Sequence, residues 1–228
     1  MADKSGGAQS GMRAITAAVA LACIFMVCSI VPIVKPLERI DVAVLKMLNP
    51  NCEHKFADEF MLAATRLGKN ALFWALLVAW LWLRRGFKGM IHALVVLLLV
   101  ISLTDLLVGK VAKGLWGRPR PTSVEMDVRA IAPTGGSPSF PSAHAANWFA
   151  AAKALSNFVP EGKPSLFAIA SLVAYSRIYL GVHYPSDVIA GCIIGYAMAL
   201  FVLSLVELMA VRLKQHCSRQ AAIHRHDL

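Results

Sequence analysis

The sequence predicts an all-α, polytopic membrane protein, a bundle of six transmembrane helices forming one membrane-embedded domain over residues 1–228. Composition is the first ground: 57% of residues are hydrophobic and only 16% charged, where a soluble domain averages about half and about a quarter. The second is arrangement, because the excess lies in runs that approach or reach the ~20 residues needed to cross a bilayer. The third is charge. A formal net charge of +10 would suggest nucleic acid in a soluble chain. Here much of it lies in short loops and tails beside apolar runs, where topology and anionic headgroups explain it and no nucleic-acid partner is implied.

In chain order, residues 1–12 form a polar, Gly/Ser-rich tail, and Ala14 to Val34 is the first span, closed by Lys35-Pro36. Ala20-Leu21-Ala22-Cys23 faintly resembles a lipoprotein cleavage site, but the uncharged run continues past Cys23, which favours an uncleaved span. Residues 35–68 mix charge with apolar positions in the manner of two short interfacial helices, separated by a turn at Asn49-Pro50-Asn51. Ala71 to Leu83 is short for a span and must recruit Leu67 or earlier, with Arg66 and Lys69 snorkelling. Arg84-Arg85-Gly86-Phe87-Lys88 is a basic turn, Met90 to Val108 the third span, and 109–141 a loop punctuated by Pro and Gly. His144 to Phe158 begins the fourth span, Leu166 to about Leu180 is the fifth and Val188 to Val211 the sixth, before a basic, flexible tail over 213–228. The five cysteines show no metal or redox spacing and read as free thiols.

Six spans place both termini on one side, together with the 84–88 turn, and the positive-inside rule makes that side cytoplasmic. The 109–141 loop and the turn at His183 then face outward. That loop is itself basic (Lys110, Lys113, Arg118, Arg120, Arg129). Cations that bind a ligand are poor topology markers, so the 84–88 turn and the tail decide the orientation.

Three polar stretches meet on the outward face. Phe140-Pro141-Ser142-Ala143-His144 opens the fourth helix. With Ser142 as N-cap, the amides of the first turn are free to meet an anion beside His144. Lys113, Arg120 and Arg177 supply fixed cations, a set suited to a multiply charged tetrahedral oxyanion. Arg177 interrupts an apolar run, and a cation in a span is costly unless it faces a partner or a wet cavity. Two histidines then suggest covalent phosphoryl transfer: a neutral His183 attacks phosphorus and a protonated His144 serves the leaving oxygen. Asp187, four residues after His183, can hold the imidazole N–H and fix its tautomer. Glu125, Asp127 and Asp187 do not make the carboxylate cluster of two-metal hydrolysis, so this chemistry calls for no metal and no cofactor. Taken singly, Ser142 is equally a helix cap and Asp187 equally a complement to a helix dipole. Asp105 fits no motif and reads as a hydrogen-bonding residue inside the bundle. Trp116 and Trp148 are interface anchors or part of a lipid entry.

Lys113-x6-Arg120-Pro121, Pro141-Ser142-Ala143-His144 and Ser176-Arg177-x5-His183-x3-Asp187 resemble the three signature motifs of the type 2 phosphatidic acid phosphatase family. Arg118-Pro119 is not the motif pair, since Val111 stands where its lysine would be. Ala143 replaces the usual glycine, which leaves the backbone amide in place. The resemblance implies that His183 becomes phosphohistidine, His144 is the acid and Asp187 orients His183. It implies that Lys113, Arg120, Ser142, Ala143 and Arg177 bind phosphate. It also implies a lipid phosphate substrate in the membrane, with no protein partner called for. Undecaprenyl diphosphate is the first expectation; phosphatidylglycerol phosphate, phosphatidic acid and a lipid A phosphate are alternatives, as is transfer to a second lipid. A silent lipid-binding or transport protein is disfavoured by the intact His144, His183 and Asp187. The expected location is a bacterial inner membrane, with the site on the periplasmic face.

Overall fold

The computed structural model describes residues 35–226 except 51, 125, 126 and 134, with a few isolated positions before 35. The expected first span and the tail's side chains lie outside that set. The described chain is helical: α1 (Glu38–Leu48), α2 (Lys55–Arg66), α3 (Ala71–Leu106), α4 (Lys113–Trp116), α5 (Pro121–Val124), α6 (Ala143–Phe158), α7 (Lys163–Tyr179) and α8 (Pro185–His226). No strand occurs among the described residues. Two runs, Ala71–Lys110 and Pro185–Leu213, are helices long and apolar enough to cross a membrane.

α1 and α2 are the two short amphipathic helices expected over 35–68, and Asn49 joins them to the rest. Its Nδ2 donates to the carbonyls of Tyr179 at 2.7 Å and Arg129 at 3.1 Å, and its Oδ1 accepts from Arg129 N at 2.8 Å. Each helix shows apolar residues outward, Ile40 and Met47 on α1 and Phe56 and Phe60 on α2. Each also buries one carboxylate, Asp41 or Asp58. Asp58 pairs with Arg129 at 2.6 Å and accepts from Tyr179 Oη at 3.0 Å.

α3 is interrupted where the basic turn was expected. Gly86 has φ 66° and ψ 176°, a conformation that a Cβ disfavours. Phe73, Leu77 and Leu97 all line one cavity; on an unbroken helix Phe73 and Leu97 would stand roughly 36 Å apart, so the chain doubles back at Gly86. At that end Arg84 pairs with Glu161 and Arg85 Nε donates to the Phe158 carbonyl. The 84–88 turn and the 159–163 connection therefore share one end of the bundle.

The expected loop over 109–141 needs correction at its start. Helix continues past Val108 as a π-helical segment, Leu107–Ala112, and then α4. Nothing in the apolar sequence stops it before Gly117, whose N–H bonds back to the Lys113 carbonyl at 3.3 Å. Lys113 consequently stands on a helix.

α6 sits centrally, packed by α3, α7 and α8. Ala146, Ala150 and Ala154 on α6 share one core cluster with Ile194, Met198, Ala199 and Val202 of α8. Gly191 and Gly195 of α8 bring the two backbones together: a Cβ at Gly195 would lie 2.0 Å from the Ala146 carbonyl oxygen. α6 carries His144 and α8 carries Asp187, so this close contact sets the spacing of the candidate site.

Candidate active site

His183 stands in the short turn between α7 and α8. The turn closes when the amides of Val182 and His183 both donate to the Arg177 carbonyl at 3.2 Å. Gly181 makes the reversal at φ 73°, with the Arg129 carbonyl only 2.6 Å from where a Cβ would stand. The imidazole is 2% exposed. Its Nδ1 is 3.4 Å from Asp187 Oδ2, and its Nε2 is 3.3 Å from Arg120 Nη1. The ring thus stands between a carboxylate that faces Nδ1 at ion-pair distance, without a hydrogen bond, and a guanidinium at Nε2. Burial pushes the His183 pKa down to about 4; Asp187 opposes that shift, while Arg120 and Arg177 add to it.

Asp187 lies in the first turn of α8, after Pro185 at the helix start. Its Oδ2 accepts from Tyr184 N at 3.0 Å, so it caps its own helix while it faces the histidine. Its backbone carbonyl accepts from Ser142 N at 3.0 Å, which ties the start of α6 to the start of α8. Ser142 is fully buried and caps α6, its Oγ accepting from Ala145 N at 3.5 Å.

Arg120 reaches the site from the loop after α4. Its side chain donates to the Val182 carbonyl at 3.0 Å and to the carbonyl and hydroxyl of Ser137 at 2.9 and 3.2 Å. Lys113 Nζ donates to the same Ser137 hydroxyl at 3.2 Å, so both motif cations converge on one loop residue. Burial lowers the Lys113 pKa, with Arg120 adding to the shift and Asp105 opposing it. Burial likewise lowers that of Arg120, against the charge of Asp187. Arg177 is 9% exposed; its guanidinium donates to Thr65 Oγ1 of α2, while Nε has no hydrogen-bond partner.

His144 opens onto a cavity of about 300 Å³ lined also by Ala143, Thr65, Lys69, Asn147 and Trp148. It lies within electrostatic reach of Arg177, His183, Lys69 and Arg120. Asp105, on the wall of that cavity, accepts from Asn147 Nδ2 at 3.2 Å. A second, mostly apolar cavity of about 550 Å³ shares Trp74, Trp148 and Ala151 with the first and extends to Arg84 and Glu161. Trp148 therefore belongs to the cavity wall, whereas Trp116 packs on Phe140 with ring centroids 4.7 Å apart.

All eight candidate residues stand at this end of the bundle. Two residues that the motifs do not mark stand with them. Arg118 bonds both Asp187 and Asp41 at 2.7 Å; Asp41 also accepts from Ser186 N at 2.8 Å. The only trace of them in the sequence is a second arginine beside the motif arginine and an acid in an amphipathic helix.

An all-helical chain with long apolar helices, gathering imidazoles, a carboxylate and cations at one end, defines a class that the comparisons name. The model of the PAP2 superfamily matches residues 93–208, half of the chain and all three motifs, and the chain belongs to that superfamily. The resemblance read from the motifs is thereby borne out. The chain is 36% identical to a lipid A 4'-phosphatase of Bacteroides thetaiotaomicron, over 44% of this chain and 48% of that protein. It is 38% identical to an undecaprenyl-diphosphatase of Sulfolobus acidocaldarius, over 42% and 48%. The alignments span about half the length of these two relatives. Among solved structures, the transmembrane PAP2-type phosphatidylglycerolphosphate phosphatase from Bacillus subtilis superposes with a TM-score of 0.60 at 25% identity, over 82% of this chain and 96% of that one.

Proposed function

We propose that the chain is a membrane lipid phosphatase that hydrolyses a phosphate ester or diphosphate through a phosphohistidine intermediate. The observation that carries this reading is the placement of His183 between Asp187 at 3.4 Å and Arg120 at 3.3 Å. A carboxylate facing Nδ1 favours the tautomer with the proton on that nitrogen, which leaves the Nε2 lone pair on the cationic side. A phosphoryl group bound by Arg120, Lys113, Arg177 and the amides at Ser142 and Ala143 would meet that lone pair. Nε2 bonds to phosphorus as the ester or anhydride P–O bond breaks, and His144 gives its proton to the departing oxygen. Water then attacks the phosphohistidine, its proton passing to His144, and His183 is released with inorganic phosphate.

The leaving group departs on the His144 side, where the cavity runs on into the apolar one along α3 and α6. That continuity supports a lipid substrate, whose chain stays in hydrocarbon while its phosphate enters the cationic pocket. The reading includes six spans in one domain: one before residue 35, two in the arms of α3 that meet at Gly86, and α6, α7 and α8. It places the site on the periplasmic face of a bacterial inner membrane. Undecaprenyl diphosphate remains the first candidate, because a carrier lipid is left as a diphosphate in the outer leaflet after glycan export.

The test is phosphate release by purified protein from a panel of undecaprenyl diphosphate, phosphatidylglycerol phosphate, phosphatidic acid and lipid A. His183→Ala and His144→Ala should each lower turnover at least ~1,000-fold in a folded protein. Near-normal turnover in His183→Ala would sink the mechanism. Activity should persist in excess EDTA and fall with vanadate, whose trigonal-bipyramidal adduct on His183 mimics the transition state. Loss on chelation with recovery in magnesium would favour a metal-dependent enzyme.

A further inference from the structure

Arg118 is, at 4%, the least exposed lysine or arginine among the described residues. Its Nη1 donates to Asp187 Oδ1 at 2.7 Å and to Ser186 Oγ at 2.9 Å, and its Nη2 donates to Asp41 Oδ2 at 2.7 Å. The guanidinium carbon lies 3.8 Å from the centre of the Tyr184 ring. Both carboxylates are buried, with side-chain exposures of 0% for Asp187 and 3% for Asp41. Residues that precede proline favour extended backbone, and residues 117–120 are outside any helix. From that segment the two arginines part: Arg120 turns to His183 Nε2 and Arg118 to the other side of Asp187, at Oδ1.

We propose that Arg118 is a positioning residue of the reaction, which bridges Asp41 and Asp187 and so holds the Asp187 carboxylate aimed at His183 Nδ1. The inference rests on the reading of His183 as nucleophile. Rotation of a carboxylate about its last bond is soft. Arg118 occupies Oδ1, which leaves Oδ2 for Tyr184 N and His183 Nδ1. Arg120 and Lys113 also act on Asp187, from the phosphate side, whereas Arg118 stands between the two buried acids. Burial works against its own charge, and Asp187 and Asp41 outweigh that and raise its pKa. Without it two carboxylates would be left in a dry pocket with no cation between them, and removing one partner of a buried ion pair is strongly destabilising. An arginine fork serves both acids at once, whereas a lysine ammonium offers only a point charge.

The experiment measures kcat and KM for phosphate release by the full chain in detergent micelles. The probe is undecaprenyl diphosphate, or whichever panel lipid the unsubstituted chain turns over faster. Removal of a partner that orients a catalytic ligand costs roughly 10- to 100-fold, so Arg118→Met should lower kcat by about that factor with KM changed less than ~3-fold. Adding Asp41→Asn to Arg118→Met removes one of the two opposed acids and should raise kcat again by ~5-fold or more. Mere loss of packing predicts no such rescue. Arg118→Met with kcat within ~3-fold of the unsubstituted chain, or Asp41→Asn deepening its defect, overturns the proposal. Should Arg118→Met not fold, Arg118→Lys decides: a kcat loss at constant KM supports the proposal, and an unchanged kcat removes it. His183→Ala separates the two readings. An inactive His183→Ala beside a fully active Arg118→Met removes this inference alone, while an active His183→Ala removes the mechanism beneath it.

Discussion

His183 can act as a nucleophile only while its ring is neutral, and burial favours that form. With the pKa pushed down to about 4, the imidazole is neutral at pH 7, and its attacking form is lost only as pH falls through that lower value. An NMR titration of ¹⁵N-labelled protein, with the signal assigned through His183→Gln, should find the ring neutral at pH 6. A ring that protonates near the ordinary value of about 6.5 would show that the pocket is wetter than its 2% exposure implies. At this scale the residues that the fold brings together were largely legible, because histidines, cations and an acid at fixed spacings in an apolar chain have few other uses. Arg118 was not legible as a partner of Asp187. Spacing separates it from the motif pair, but only the packing of α1 against the start of α8 shows that a second acid, Asp41, waits behind it.

The helices were legible as apolar runs, yet the distance between them was not. Gly191 and Gly195 lie one turn apart on α8 and face α6, where Cβ atoms would stand 2.5 Å from the Ser142 carbonyl oxygen and 2.0 Å from that of Ala146. Small residues at this spacing let helix backbones approach closely in membranes. Gly195→Ala should therefore push α6 from α8, at an overpacking cost of about 1–3 kcal/mol. The same shift separates His144 from the His183–Asp187 pair, and a misplacement near 1 Å can cost on the order of 100-fold in rate. Thermal unfolding in detergent and phosphate release should both fall, whereas alanine at the open position Gly114, with nothing near its Cβ, should leave the unfolding temperature in place. Normal stability and turnover in Gly195→Ala would contradict the tight contact. The start of the 109–141 loop is helical against expectation for a related reason: a glycine-containing run such as 109–116 can still be helical when its ends are held, and the sequence does not say that they are.

At the scale of the molecule, the two ends of the bundle differ in chemistry as well as position. Arg84 with Glu161 and Arg85 with the Phe158 carbonyl mark one end. Lys113, Arg120, His183 and the buried Arg118–Asp187 pair mark the other. In the proposed orientation the positive-inside rule assigns the first end to the cytoplasm through Arg84, Arg85 and Lys88, and the candidate site faces outward. An outward site cannot draw on cytosolic phosphoesters, so its substrate must arrive in the outer leaflet, and that requirement is what favours a recycled carrier lipid. Cysteine labelling tests it, once the five native cysteines are replaced. Gly135 suits the outer probe because it is exposed and a Cβ there meets nothing within 4 Å. Lys88 suits the inner one, since it is exposed and a cysteine at Gly86 would be forced into φ 66°. Gly135→Cys should react with an impermeant maleimide in intact spheroplasts, and Lys88→Cys only after lysis. The reverse pattern would turn His144 and His183 to the cytoplasm, leave the proposed phosphohistidine chemistry untouched, and remove the reason for preferring undecaprenyl diphosphate over a lipid phosphate made on the inner leaflet.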